Sequence, residues 1–261
     1  MTLAAPPVLR DVLPVFYDTY VDTSGLIQHG WFKSYDSLLA DLRGTVAILR
    51  STAPDVALGM MHYSGALVAL GAHRARLPVK AIASYRGPFS EYIRRYEHGF
   101  QRVLFLRCAI TIASRLAHSI IVPSEGTAVD THRYFFASRR LLRVIPNGIN
   151  APAVRAAADA PTPELDRLPA DLPLLCVAAR LSAEKDLRLL MDATRQLQSR
   201  YRFAVVVVGD GPERTAMAEQ AAASGMGDRV VFVGHTSNPY PYIRRATIYV
   251  HTCQFEGFGY T

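Results

Sequence analysis

Cysteine is scarce in this chain of 261 residues: there are three, Cys108, Cys176 and Cys253, odd in number and far apart. They set no disulfide framework and no zinc spacing, and they read as small core residues. Long apolar runs are missing too, although 50% of the residues are hydrophobic. None approaches the roughly 20 residues that a membrane-spanning helix needs. The N-terminus lacks the order of charged, apolar and small segments that marks a signal peptide, so the expectation is a soluble, cytoplasmic protein. There is no Asp-x-Asp, no His-Glu-x-x-His and no Cys/His cluster. A metal-dependent transferase or hydrolase therefore has no support, and no metal or other cofactor is expected. No zinc finger, RNP-like aromatic motif or basic zipper occurs either, so no nucleic-acid partner is expected.

Lysine is nearly absent from the first half, yet that half carries the charge. Residues 1–150 hold 2 Lys and 15 Arg against 10 acids, which gives +7. Residues 151–261 hold 1 Lys and 11 Arg against 12 acids, which gives zero. A basic half suits an anionic partner such as a membrane surface or an acidic acceptor. Its Glu91, Arg95, His98 and Arg102 fall on one stripe, which reads either as a solvated helix face or as a binding surface.

What is present is an alternation of short apolar runs with helical spacing, the pattern of parallel sheets covered by helices. The length allows one large or two small domains. Pro14 to Tyr17 is a possible strand, and Leu38, Leu42, Val46 and Leu49 mark a helix ended by Pro54. Val56 to Met61 reads as a buried strand leading to His62, and Val79 to Ala83 as a strand leaving through Arg86-Gly87. Phe89 to Ala117 reads as one long, mostly helical stretch. Ser119 to Val122 is a strand, Ser124 a helix cap, and Arg143 to Ile145 a closing strand. Pro146-Asn147-Gly148 is a turn signal. Residues 151–173, rich in Ala, Pro and acids, read as a linker between domains at 1–150 and 174–261.

The stretch that organises the second half is Cys176 to Lys185. An apolar run, Leu174 to Ala179, gives way to Ser182 as helix cap, then to apolar spacing at Leu187, Leu190, Met191, Thr194 and Leu197. That places Arg180 at the carboxyl end of a strand and Lys185 in the first turn of the next helix. In open α/β sheets ligands bind at that end, and a helix N-terminus favours an anion. Cations there, at the end where they oppose the macrodipole, point to an anion held between them. Further on come Phe203 to Val208, then Gly209-Asp210-Gly211-Pro212-Glu213, with Pro212 at the first position of a helix. Val230 to Val233 leaves through Gly234-His235, and Thr247 to Val250 leads to Glu256-Gly257-Phe258-Gly259. The last of these is an ordinary glycine loop or a loop whose N–H groups approach phosphate and sugar. His62 is equally a histidine satisfied at a strand end or a functional one.

Arg180-Leu181 with Glu184-Lys185, Gly209-Asp210-Gly211-Pro212-Glu213, and Glu256-Gly257-Phe258-Gly259 together resemble the large retaining glycosyltransferase family 4, the group 1 glycosyl transferases. The resemblance runs from about Pro54 to Thr261 and implies an α/β GT-B architecture of two Rossmann-like domains with parallel sheets. It implies transfer of a sugar, with retention, from a UDP- or GDP-type nucleotide-sugar to a glycan or lipid-linked acceptor, at the inner face of a membrane or in the cytoplasm. Arg180 and Lys185, with Gly257, Phe258 and Gly259, would hold the donor diphosphate. Gly209, Gly211, Gly234 and His235 would lie near the nucleotide, Glu256 and His62 near the reacting sugar, and Arg86 and Gly87 on the acceptor side. The family's glycine-rich first strand-turn-helix and its second glutamate have no counterpart here, so the sequence reads as the middle of a longer enzyme, cut at both ends. On that expectation the chain alone binds nucleotide weakly and transfers no sugar. An inert nucleotide-binding module and a sugar-nucleotide epimerase of the same fold stand as alternatives.

Overall fold

The computed structural model describes residues 35–259; the expected strand at Pro14 to Tyr17 lies outside them. The chain divides into two compact units between Asn147 and Gly148.

In the first unit, helix α1 (Tyr35–Thr52) precedes β1 (Val56–Met60), α2 (Met61–Ala75) and β2 (Lys80–Ser84). Then follow α3 (Phe89–Tyr96), α4 (Phe100–Leu116), β3 (Ser119–Val122), α5 (Glu125–Phe135) and β4 (Leu142–Val144). The four strands form one parallel sheet in the order β1-β2-β3-β4, with Val56 opposite Lys80, Ile82 opposite Ser119 and Ile120 opposite Leu142. Its core gathers Tyr85, Leu106, Ile110, Ile120 and Phe135, all within 1% of full burial.

One expectation is corrected here. The strand at Val56 was expected to be buried, but among the described residues β1 is the sheet's edge strand, and Leu58 and Met60 are 51% and 49% exposed. A run of apolar residues has the same composition on an edge strand as in the middle of a sheet. The stretch Phe89 to Ala117 is mostly helical, as expected, and forms two helices: Glu97 turns extended, and Gly99, at φ +89°, stands at the head of α4. That backbone conformation is open to glycine without a steric cost. The break lets Arg102 reach Glu97 at 2.9 Å, while Arg95 lies 3.5 Å from Glu91. The polar stripe is therefore partly engaged in its own ion pairs.

The second unit holds α6 (Ala151–Ala157), β5 (Leu174–Ala178), α7 (Leu187–Leu197) and β6 (Ala204–Val208), then α8 (Arg214–Ala223), β7 (Val230–Gly234), α9 (Tyr240–Arg245) and β8 (Ile248–Tyr249). Its sheet is parallel in the order β7-β6-β5-β8. All five residues of β6 are buried, which explains why it reads as an unbroken apolar run: a central strand covered on both faces has no solvent side to mark. In α7 the residues Leu187, Leu190, Met191 and Thr194 face the core, as their spacing implies.

Residues 151–173, read as a linker, are folded onto this unit. Asn150 caps α6 by accepting from the Ala153 N–H, Leu165 is 1% exposed, and Tyr242 donates to Glu164 at 2.7 Å. Composition alone hid this, because the ordering comes from a few contacts with a strand and a helix far along the chain.

Candidate functional site

The carboxyl end of the second sheet collects four exits. After β5 the chain passes Ala179 and Arg180 and forms a single 3-10 turn, Ala183–Lys185, before α7 begins. Lys185 thus belongs to its own turn rather than to the first turn of the helix, and Ser182 gives no side-chain cap. The separation is made by Asp186, which takes the left-handed conformation at φ +48°.

The Arg180 guanidinium donates to Glu184 at 2.6 Å and remains 72% exposed. Burial alone would raise the Glu184 carboxyl, but Arg180 and neighbouring hydrogen bonds override it, and its pKa is lowered. The Lys185 ammonium donates to Glu256 Oε2 at 2.7 Å across a sequence gap of 71 residues. Burial works against the charge on Lys185, yet the Glu256 carboxylate outweighs it and holds the pKa above its ordinary value.

The exit of β6 lies against that of β5. The Gly209 N–H donates to the Gly234 carbonyl at 2.8 Å, and the Leu181 N–H to the Asp210 carbonyl at 2.9 Å. Gly209 (φ +133°) and Gly211 (φ +157°) fit so closely that a Cβ on them would stand 1.9 Å from the Ala179 carbonyl and 2.3 Å from that of Leu181. These glycines hold two strand exits together, which is a role in the site's framework. Pro212 precedes α8 instead of opening it. Asp210 accepts from Arg214 at 3.2 Å, and His235 is exposed beside Gly234.

The segment after β8 closes the ring. Thr252 Oγ1 donates to the Lys185 carbonyl at 2.8 Å, and the Gln254 N–H donates to the Glu184 carbonyl at 3.1 Å. Cys253 Sγ donates to the carbonyls of Glu184 and Phe255 at 3.2 and 3.0 Å, and burial raises its pKa. Gly257 is buried, Phe258 half-buried and Gly259 exposed. Arg180, Lys185, Gly209, Gly211, Gly234, His235 and Glu256 through Gly259 are thus gathered at one sheet edge. The result is two cations, each held by a carboxylate, beside a glycine loop.

The first-unit candidates are placed differently. His62 lies in the first turn of α2 and is 4% exposed, stacked between Tyr85 and Phe89 with ring centroids 4.5 Å from each. Burial lowers its pKa to about 3, so the ring is neutral. In this structure its ring is part of the unit's buried aromatic stack. Arg86 donates to the side-chain oxygen of Asn147, so it ties the β2 exit to the turn that ends the unit, and Gly87 sits half-buried beside it. Sequence reading missed the partners Glu184 and Asn147. The Arg180 to Glu184 spacing of i, i+4 was a usable signal, whereas nothing local links Arg86 to a residue 61 positions away.

Residues 3–151 match the family described as Glycosyltransferase Family 4, and residues 164–261 match Glycosyl transferases group 1. Over 134 residues the chain is 33% identical to a 2-deoxystreptamine glucosyltransferase from Streptomyces kanamyceticus, a match that covers 48% of this chain and 34% of that protein. The structure of Anabaena HepE in complex with UDP superposes with a TM-score of 0.64 at 19% identity, over 86% of this chain and 59% of that one. Sucrose-phosphate synthase from Thermosynechococcus elongatus superposes with a TM-score of 0.68 at 20% identity, over 93% and 59%. The chain therefore spans about a third of the curated relative and about three fifths of these solved structures. The structural likenesses establish the α/β GT-B fold, with two parallel four-stranded sheets. With the first match taking in more than half of its residues, the chain belongs to glycosyltransferase family 4.

Proposed function

We propose that the protein moves a hexosyl group from a nucleotide-sugar, of UDP type, to an acceptor hydroxyl with retention of configuration. The carrying observation is the pair of cations at the β5 exit, Arg180 and Lys185, fixed beside the Glu256 loop by the 2.7 Å bond between Lys185 and Glu256. A donor diphosphate has more charge than either carboxylate that now holds a cation. An exposed ion pair is worth about 0–1 kcal/mol, whereas a charge-assisted hydrogen bond to phosphate reaches about 1.5–3 kcal/mol. Exchange of carboxylate for phosphate is therefore favourable. As the anomeric C–O bond breaks and the acceptor oxygen replaces the diphosphate, Arg180 and Lys185 neutralise the charge that develops on the leaving group. Glu256, released from Lys185, is free to accept from the sugar hydroxyls.

UDP and UDP-glucose in complexes of Anabaena HepE support this donor class. We place the acceptor among glycans and lipid-linked glycans, which suits the +7 confined to residues 1–150. Titration calorimetry with UDP tests the reading. Arg180→Ala and Lys185→Ala should each weaken binding about tenfold or more, with melting curves that match wild type. Affinities equal to wild type would overturn it.

A further inference from the structure

The segment after β8 joins Glu256, which the donor reading uses, to two residues that it does not, His251 and Cys253. His251, Cys253 and Glu256 offer an imidazole nitrogen, a thiol and a carboxylate whose ligand atoms all lie within 4.8 Å of one another. We propose that these three residues bind a thiophilic divalent cation, Zn²⁺ in particular, and that its binding takes Glu256 away from Lys185.

The donor set fits that class of ion. Zinc takes thiolate, imidazole and carboxylate at about 2.0–2.3 Å in a tetrahedron, which puts neighbouring ligand atoms about 3.5 Å apart. Closing from the present separation needs side-chain movement of about 1 Å. Calcium and magnesium prefer all-oxygen cages and would leave the thiol unused. The backbone already holds the segment in place. Thr252 is anchored to the Lys185 carbonyl, and Gln254 and Cys253 to the Glu184 carbonyl, so the loop is tied down on both sides of the thiol. His251 and Glu256 are exposed and Cys253 is half-buried, which gives an ion access. Three ligands leave a fourth position for water.

Binding is a proton exchange with no redox step. The Cys253 thiol gives up its proton to solvent, its sulfur lone pair goes to the metal, and the Glu256 oxygen trades an ammonium for the cation. Lys185 is thus a built-in competitor for the site. His251 Nε2 lies 3.9 Å from the same Glu256 oxygen that Lys185 holds at 2.7 Å. Removing the ammonium should therefore strengthen metal binding. For nucleotide the opposite holds, because there Lys185 is the ligand; that half of the inference rests on the proposed function.

The test is a Co²⁺ titration of the whole chain with a non-thiol reductant, followed by absorbance and then by Zn²⁺ displacement. One equivalent should bind with a sulfur-to-cobalt charge-transfer band. Cys253→Ser should abolish the band, His251→Ala should weaken binding about tenfold or more, and Cys108→Ser should change nothing. Lys185→Met should tighten binding, by up to about fivefold. Absence of the band in wild type, or its survival in Cys253→Ser, overturns the site. Unchanged cobalt affinity in Lys185→Met overturns the coupling to Glu256. UDP affinities of the same variants separate the two ideas: lost UDP binding in Lys185→Met with no cobalt site leaves the donor reading standing and this one refuted.

Discussion

His62 shows what burial does to a titrating group. The unfolded chain would protonate it near 6.5, while the stacked, buried ring holds off to about 3. Between those values the unfolded state binds the extra proton. The stabilisation is thus complete above about pH 6.5 and drains as pH falls, by up to about 1.4 kcal/mol per unit. We expect His62→Phe to flatten this response: its melting temperature should drop less than that of wild type between about pH 7 and about pH 4.5. Equal drops would assign the acid sensitivity to other groups. Sequence placed this histidine at a strand end, but a stack formed with Tyr85 and Phe89 leaves no local trace. Arg180, Lys185 and Glu256 were legible because the motifs that contain them impose fixed spacing. His251 and Cys253 were not, since a histidine and a cysteine with one residue between them match no familiar ligand spacing until the fold adds Glu256.

Helix ends were read with uneven success, and the reason is capping chemistry. Ser124 was identified as a cap, and its hydroxyl accepts from the Thr127 N–H at 3.3 Å at the head of α5. Ser124→Ala should cost about 0.5–2 kcal/mol, with Ser124→Asp recovering most of it, as read from urea unfolding curves. A variant as stable as wild type would mean that solvent satisfies those amides equally well. At the other breaks no side chain caps the helix: Ser182 stands where a cap was expected but makes no such bond. Asp186 splits the Lys185 turn from α7 by adopting φ +48°, and Gly99 splits α3 from α4 at φ +89°. Between Tyr96 and Phe100 apolar spacing continues across the Gly99 break, whereas at α7 it begins only at Leu187, just past Asp186. Strand order in each sheet was equally invisible to composition, and for that reason β1 was taken as buried.

At the scale of the whole molecule, charge is the feature that sequence reports best, because it needs no geometry. Arg133, Arg139, Arg140 and Arg143 lie exposed on and around α5 and β4. No helix among the described residues is long and apolar enough to cross a membrane. Co-sedimentation with vesicles containing anionic lipid should show binding that weakens as salt rises. Arg139→Glu with Arg140→Glu should reduce it at low salt. No binding by the wild-type protein at low salt would return these arginines to the role of a solvated surface.

The shortness of β8 has a kinetic consequence. It pairs with β5 through Ile248 and Tyr249 alone, flanked by N–H bonds from Thr247 and Val250 to β5 carbonyls at 2.8 Å. The segment from His251 to Gly259 follows this brief pairing and is held besides by the bonds of Thr252, Cys253, Gln254 and Glu256 to residues 184–185, so these partners lie about seventy residues earlier in the chain. Such a contact closes a long loop, forms late in folding and is among the first to open in the native state. Amide hydrogen exchange should therefore be fast at Val250 and Gln254 and slow in β6, with UDP slowing the former pair selectively. Uniform protection across β6 and β8 would show instead that the edge opens only when the whole unit unfolds.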